Sequence, residues 1–177
     1  MERAVFLDRD GVLNNTKILN GLPHPPHILS ELQILPGVEL GISILKRLGF
    51  KTIVITNQPD ISRGITSIEK VTKLNDFLNS KLLLDDIYFC PHDDDDKCGC
   101  RKPKPGLIFK AATEHNINLD SSYFIGDRWR DVAAGQAAGC RCLFIDYKYP
   151  EKAPSPPFTR VLSLLEAAKR IEKEMEK

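Results

Sequence analysis

The 177-residue chain has almost no net charge: 25 Lys and Arg stand against 24 Asp and Glu. That leaves no field to gather nucleic acid or an anionic membrane surface. No apolar run approaches the length of a membrane span, so a membrane is not expected as a partner. No secretory pattern precedes the apolar segment that begins at Ala4, which sets the expectation of a cytoplasmic protein. Internal repeats and low-complexity tracts are missing, and the length suits one domain over residues 1–177 with a sizeable core, expected to be a monomer. Five cysteines in a reducing compartment read as thiols or metal ligands rather than disulfides, and three of them fall between positions 90 and 100.

What is present is an alternation of short apolar runs with helical stripes. Ala4–Leu7, Thr52–Thr56, Ile87–Cys90, Tyr123–Ile125 and Cys142–Ile145 have strand character. Between them, Val38, Ile42, Leu45 and Leu48 recur at helical spacing up to Gly49. Ile68, Val71, Leu74, Leu78 and Leu82 form a second stripe after Thr66-x-x-Glu69, which has capping-box spacing. Gly106–His115 and Val132–Ala138 read as helices, and Ser163-x-x-Glu166 caps a last one whose tail, Glu172–Lys177, is expected to fray. The segment Asn14–Pro36 reads as a long functional loop, and Pro150–Pro157 as a surface connection to a possible edge strand at Val161-Leu162. The class is therefore α/β: a Rossmann-like three-layer sandwich with a mostly parallel sheet, covered on both faces, with functional loops at the strands' carboxyl ends.

Those ends carry polar clusters. The first strand runs into Asp8-Arg9-Asp10-Gly11. Two carboxylates there can hold a hard cation and leave an oxygen free to attack phosphorus, although alone the motif is equally a solvated turn. Thr56-Asn57-Gln58, Arg101-Lys102 and Gly126-Asp127 with Asp131 follow later strands. Together they supply what phosphoryl transfer needs: a nucleophile, a cation site, groups that orient phosphate oxygens and a proton donor. Separately, Cys90-Pro91-His92 and Cys98-Gly99-Cys100 place four soft or borderline ligands within eleven residues. That is enough for a closed tetrahedral zinc site, structural in role, fastening the loop that delivers Arg101 and Lys102. Cys140 and Cys142 read as small buried residues, and Asp93–Asp96 as a solvated loop tip without EF-hand spacing.

In this order the clusters resemble the four motifs of the haloacid dehalogenase superfamily of phosphatases. The resemblance implies that Asp8 is the nucleophile that becomes an aspartyl phosphate, Asp10 the general acid and later base, and Thr56 and Lys102 the holders of the phosphoryl oxygens. It implies Mg²⁺ on Asp8, Asp127 and the backbone carbonyl of Asp10, supported by Asp131. Cys-Pro-His followed by Cys-x-Cys-Arg-Lys-Pro is similar to the zinc-bearing subfamily of heptose bisphosphate and histidinol phosphate phosphatases, which lack a separate cap domain. Thr56-Asn57-Gln58 with Ser62-Arg63-Gly64 and Pro103-x-Pro105-Gly106 looks like its heptose 1,7-bisphosphate 7-phosphatase branch. The short gap between His92 and Cys98 resembles the histidinol phosphatases instead, while Arg128 stands where a lysine is common and Pro59-Asp60 where a Ser-Gly pair is.

The expected substrate is a small phosphorylated sugar, most of all the 7-phosphate of a heptose bisphosphate, with histidinol phosphate and a non-catalytic phospho-ligand-binding protein as the alternatives. Contacts to the substrate are expected from Asn57, Arg63, Arg101 and Arg128. His24 and His27 are read as solvent-exposed, and Trp129 as packing beneath the site.

Overall fold

The structure is a computed structural model and describes residues 1–176. In chain order it contains β1 (Arg3–Leu7), β2 (Lys17–Leu19), β3 (Leu22–His24), α1 (Val38–Arg47), β4 (Phe50–Asn57), α2 (Ile68–Leu82) and β5 (Asp86–Cys90). These are followed by α3 (Gly106–Glu114), β6 (Tyr123–Gly126), α4 (Trp129–Ala137), β7 (Arg141–Ile145), β8 (Thr159–Val161) and α5 (Leu164–Met175).

Six strands form one sheet in the order β5-β4-β1-β6-β7-β8, every neighbouring pair parallel. Period-2 alternation explains how both faces are covered. Val5 and Leu7 point into a core shared with Val38, Ile42 and Leu45 of α1, Leu74 and Leu78 of α2, and Leu164 and Ile171 of α5. Ala4 and Phe6 point the other way, against Leu107 and Ile108 of α3 and Val132 and Ala134 of α4. The chain steps outward from β1 to β4 and β5, then crosses back to lay β6 on the opposite side of β1. Strand order therefore reverses between β1 and β6, the place where an open parallel sheet leaves a crevice at its carboxyl edge. Leu7 pairs with Ile125, so the residues that follow, Asp8 on one strand and Gly126-Asp127 on the other, meet at that crevice.

The structure differs from the sequence expectations at several element boundaries. The loop 14–36 contains an antiparallel hairpin of β2 and β3, with Leu19 opposite Leu22. Asn20 and Gly21 both have positive φ, 52° and 78°, which is the two-residue turn that matches strand twist. The N-cap of α2 is Ser67, whose hydroxyl accepts from the Lys70 N–H, rather than Thr66. Thr66 is drawn back to the preceding loop by its N–H bond to the Asp60 carbonyl. Ile68, placed in the apolar stripe, is exposed, and burial in α2 begins at Val71. Helix α4 starts at Trp129, three residues early, because the Asp131 carboxylate accepts from the Arg128 N–H at 2.9 Å and closes the first turn. The expected fraying of α5 is not seen through Met175: Ile171 is buried and Glu172 pairs with Arg47 of α1. Edge strand β8 lies where Val161 was expected to form one. Among the described residues no helix is long and apolar enough to cross a membrane.

Candidate active site

At the crevice, Lys102 is almost fully buried and its ammonium group is the centre of the arrangement. It donates to Asp8 Oδ1 at 2.9 Å, Asp131 Oδ1 at 2.7 Å and the Ile55 carbonyl at 2.7 Å. A lysine buried this deeply needs such partners to remain charged. Burial works against its charge, but Asp131 and Asp8 more than offset it and hold its pKa above the usual lysine value. Asp8, Asp127 and Asp131 each offer an oxygen within 4.8 Å of the others. Three crowded carboxylates face one internal cation, and Asp127 Oδ1 is buried with no hydrogen-bond partner. That orphaned oxygen and the excess of negative charge suit a divalent cation with oxygen ligands. Two glycines make the crowding possible: a Cβ on Gly11, which has φ +84°, would sit 2.2 Å from Asp127 Oδ2, and one on Gly126 would sit 2.2 Å from the Asp131 Cβ.

Asp10 is aimed differently. Its carboxylate receives the Arg9 guanidinium, the Asn14 amide at 2.9 Å and the Gln58 amide at 2.7 Å, and it stands outside the carboxylate cluster. Gln58 also donates to Thr56 Oγ1 at 3.0 Å, tying the end of β4 to the loop after β1. Asn57 spends its side chain on the Lys102 backbone, donating to its carbonyl and accepting from its N–H, both at 3.0 Å. It lines the cleft but acts on Lys102. Arg9, Asn14 and Gln58 were not singled out in the sequence as site residues. Only the position of Gln58, two residues past Thr56 on the same strand end, hinted at its part.

A cleft of about 330 Å³ opens over these groups. Arg63, Arg101 and Arg128 line it, together with Arg130, which the sequence did not single out as a substrate contact. Each arginine is already paired. Arg63 reaches both oxygens of Asp93, at 2.6 and 3.0 Å, and Asp60 at 3.2 Å. Arg101 donates to Asp94 at 2.8 Å, Arg130 forks onto Asp94 at 3.0 Å, and Arg128 forks onto Glu151. Asp93–Asp96 is therefore a short helical turn that receives the rim arginines rather than a merely solvated tip. His27 is half-buried and bonded to Asp60 at 2.8 Å, which corrects its reading as solvent-exposed, while His24 is exposed on the cleft wall. Trp129 is partly exposed, with the Arg130 and Lys152 cations 4.9 and 4.8 Å from its ring, and so does not pack beneath the site.

Beside the cleft, Cys90, His92, Cys98 and Cys100 converge. Cys90 Sγ lies 3.7 Å from Cys98 Sγ, 3.1 Å from Cys100 Sγ and 3.6 Å from His92 Nδ1. Two of those spacings match the roughly 3.5–3.8 Å edges of a tetrahedron of sulfur and nitrogen around one small cation, and the Cys90–Cys100 edge is shorter. Burial opposes ionisation of Cys98, but hydrogen bonds from Cys100 and from the Arg101 and Cys100 backbone bring its pKa down to about 7, favouring the thiolate a metal requires. Cys140 and Cys142 are buried thiols, as expected.

Burial raises the pKa of Asp8 to about 6, with Lys102 opposing and Asp131 and Asp10 assisting. Asp127 is raised as well, again by burial first and then by Asp8 and Asp131. Between the ordinary carboxylate value of 3.8 and about 6, the folded metal-free chain thus binds a proton at Asp8 that the unfolded chain has released. Stability contributed by this residue falls as pH rises through that window. Denaturant melts of the metal-free wild type and of Asp8→Asn at a series of pH values check this: the wild type should lose stability relative to the variant from pH 4 to 6. A flat or rising difference would contradict the shift.

A family model described as a haloacid dehalogenase-like hydrolase matches residues 24–139. The chain is 37% identical over 158 residues to a D-glycero-beta-D-manno-heptose-1,7-bisphosphate 7-phosphatase of Helicobacter pylori strain J99, covering 86% of this chain and 87% of the relative. It is 33% identical to a D-glycero-alpha-D-manno-heptose-1,7-bisphosphate 7-phosphatase of Photorhabdus laumondii, over 96% and 97% of the two chains. The crystal structure of D,D-heptose 1,7-bisphosphate phosphatase from B. bronchiseptica, complexed with magnesium and phosphate, superposes with a TM-score of 0.85 at 26% identity, covering 97% of this chain and 99% of that one. With Asp8, Asp10, Thr56, Lys102 and Asp127 gathered at the carboxyl edge of a parallel sheet, and with these likenesses running over nearly its whole length, the chain belongs to the haloacid dehalogenase-like hydrolases.

Proposed function

We propose that the chain is a magnesium-dependent phosphatase that removes the 7-phosphate from D-glycero-D-manno-heptose 1,7-bisphosphate. The observation that carries this reading is the Asp8 carboxylate, held by the buried Lys102 at 2.9 Å and opening into a cleft rimmed by arginines. The names of the curated relatives supply the sugar.

Asp8 attacks phosphorus, forming a bond from its oxygen while the bond to the sugar oxygen breaks, and an aspartyl phosphate results. Lys102, fixed between Asp8 and Asp131, keeps the nucleophile ionised and faces the phosphoryl oxygens; the Thr56 hydroxyl, buried at the end of β4 and accepting from Gln58, would turn to the same oxygens. Asp10, oriented by Arg9, Asn14 and Gln58, gives its proton to the departing sugar oxygen and then takes one from the water that hydrolyses the acyl phosphate. Asp8, Asp127 and the Asp10 carbonyl would hold Mg²⁺, with Asp131 behind them. When bound, the ion neutralises phosphate oxygens as charge shifts in the transition state. Zinc on Cys90, His92, Cys98 and Cys100 would have no open position for water and would serve to fix the loop that ends at Lys102. The cleft is built within the domain formed by residues 1–177, and Arg63, Arg101 and Arg128 on its rim suit the second phosphate of a bisphosphate once their carboxylate partners yield.

A turnover panel with Mg²⁺ tests the assignment. Both anomers of the heptose 1,7-bisphosphate, histidinol phosphate and an aryl phosphate should be compared, and one anomer of the bisphosphate should have a kcat/KM at least about tenfold above the rest, the discrimination of one good charge-assisted contact. Histidinol phosphate as the fastest substrate would overturn it.

A further inference from the structure

The segment 146–158, between β7 and β8, is far from the catalytic motifs in sequence, yet it touches both halves of the carboxylate cluster. The Tyr147 hydroxyl donates to the Gly11 carbonyl at 3.0 Å, on the turn that follows Asp8 and Asp10. The Tyr149 hydroxyl donates to Asp127 Oδ2 at 3.1 Å. The two rings lie 5.6 Å apart, and the Arg128 guanidinium, itself forked onto Glu151 of the same segment, stands 5.8 Å from the Tyr149 ring. Tyr149 is thus held on several sides while its hydroxyl faces a carboxylate that has no other side-chain donor among the described residues.

The two oxygens of Asp127 have different surroundings. Oδ2 takes the tyrosine hydroxyl and faces the Gly11 backbone, where a Cβ would come within 2.2 Å; Oδ1 lies farther from that point, at 3.4 Å, and is buried without a partner. A carboxylate free to spin would exchange these roles. With one oxygen pinned, the carboxylate keeps one orientation, in a cluster where one oxygen each of Asp8, Asp127 and Asp131 lie within 4.8 Å of one another.

We propose that Tyr149 is a positioning residue for the divalent cation: its hydroxyl holds Asp127 Oδ2 and so aims the unpartnered Oδ1 at the site formed with Asp8. The inference rests on the reading of that cluster as a cation site. Partners that orient metal-binding carboxylates and histidines commonly account for about tenfold to a hundredfold in metal affinity. Lysine or phenylalanine at 149 would fill the same space, but neither offers a neutral donor of this length and direction. Tyr147 holds the Gly11 carbonyl, on the turn that abuts the same Asp127 carboxylate.

The test is a Mn²⁺ titration of the full chain, with its cysteine site filled with zinc, followed by the electron paramagnetic resonance of the free ion. Tyr149→Phe, which removes the hydroxyl and keeps the ring, should weaken Mn²⁺ binding roughly tenfold. The Mg²⁺ concentration for half-maximal turnover should rise in step while kcat at saturating Mg²⁺ recovers most of the wild-type value. The thermal midpoint of the metal-free variant should stay within about 3 °C of wild type, as the loss of one hydrogen bond would dictate. An unchanged Mn²⁺ affinity overturns the proposal, whether or not the midpoint falls, because Tyr149 would then serve packing alone. Absence of Mn²⁺ binding by the wild type would instead overturn the cation reading beneath it, so the two failures are told apart.

Discussion

Asp8→Asn is expected to lower turnover by about 10⁴-fold or more, the scale seen when a covalent nucleophile is removed, while the sheet remains intact. An amide has the shape of the carboxylate and can still accept from Lys102, so the local packing survives. It cannot form an acyl phosphate that water will hydrolyse to regenerate the enzyme, so the covalent route closes. Lys102 keeps Asp131 at 2.7 Å and the Ile55 carbonyl at 2.7 Å in the variant, enough to hold it in place. The substitution also removes a carboxylate whose ionised form is penalised by burial, so near neutral pH the metal-free variant should be no less stable than wild type. Steady-state rates with a heptose bisphosphate, paired with circular dichroism, decide the matter. Turnover within tenfold of wild type would mean that Asp8 is not the nucleophile and that water attacks directly. Asp10, with its three donors, would then be the remaining candidate for activating that water.

Most parts of this site that were legible in the sequence share one physical property: they stand at the carboxyl end of a strand. A buried strand of a parallel sheet is an apolar run with an abrupt polar end, so Leu7-Asp8, Ile55-Thr56 and Ile125-Gly126-Asp127 announce both the sheet and the residues it delivers. The cysteines and His92 were legible for a different reason, since metal ligands of one loop must be close in sequence as well as in space. Tyr149, Arg130 and Glu151 had no such mark. They lie in segments whose conformation is set by tertiary contacts, and an isolated tyrosine or arginine in a polar loop looks the same whether it faces solvent or a carboxylate. The helical stripe of α2 begins three residues later than its period implies for a related reason: Ile68 matches the period, but at the first turn the helix has not yet reached the core, and burial starts at Val71. The hairpin in the loop 14–36 was hidden because its strands are only three residues long and their side chains are mostly exposed, leaving the Asn20-Gly21 turn as the one local signal.

Cys98→Ser is expected to cost both stability and catalysis, and the pairing of the two losses is what identifies the role of the cluster. The segment from Pro91 to Pro105 has one short helical turn and few buried apolar side chains, so little besides the cluster and the rim ion pairs orders it. Lys102 stands two residues beyond Cys100, and its backbone is held on the far side by Asn57. With four ligands in place the loop is clamped at both ends. With one sulfur replaced by a weakly binding hydroxyl, a zinc site on these four residues would lose much of the roughly 10–16 kcal/mol that such sites contribute to folding. Even a loss of about 3 kcal/mol would lower the melting midpoint by roughly 6–12 °C for a chain of this size. The catalytic loss follows from placement, since a shift of about 1 Å in a group that must face the phosphoryl oxygens can cost on the order of 10²-fold in kcat. Elemental analysis should show about one zinc per wild-type chain after washing with chelator, and less in Cys98→Ser, whose activity should recover in part with added zinc. A zinc-free wild type with full activity would show that Asn57 and the Asp93–Asp94 arginine pairs hold Lys102 unaided. A variant that loses stability but keeps its rate would place the cluster outside the reaction, as a fastener of the fold alone.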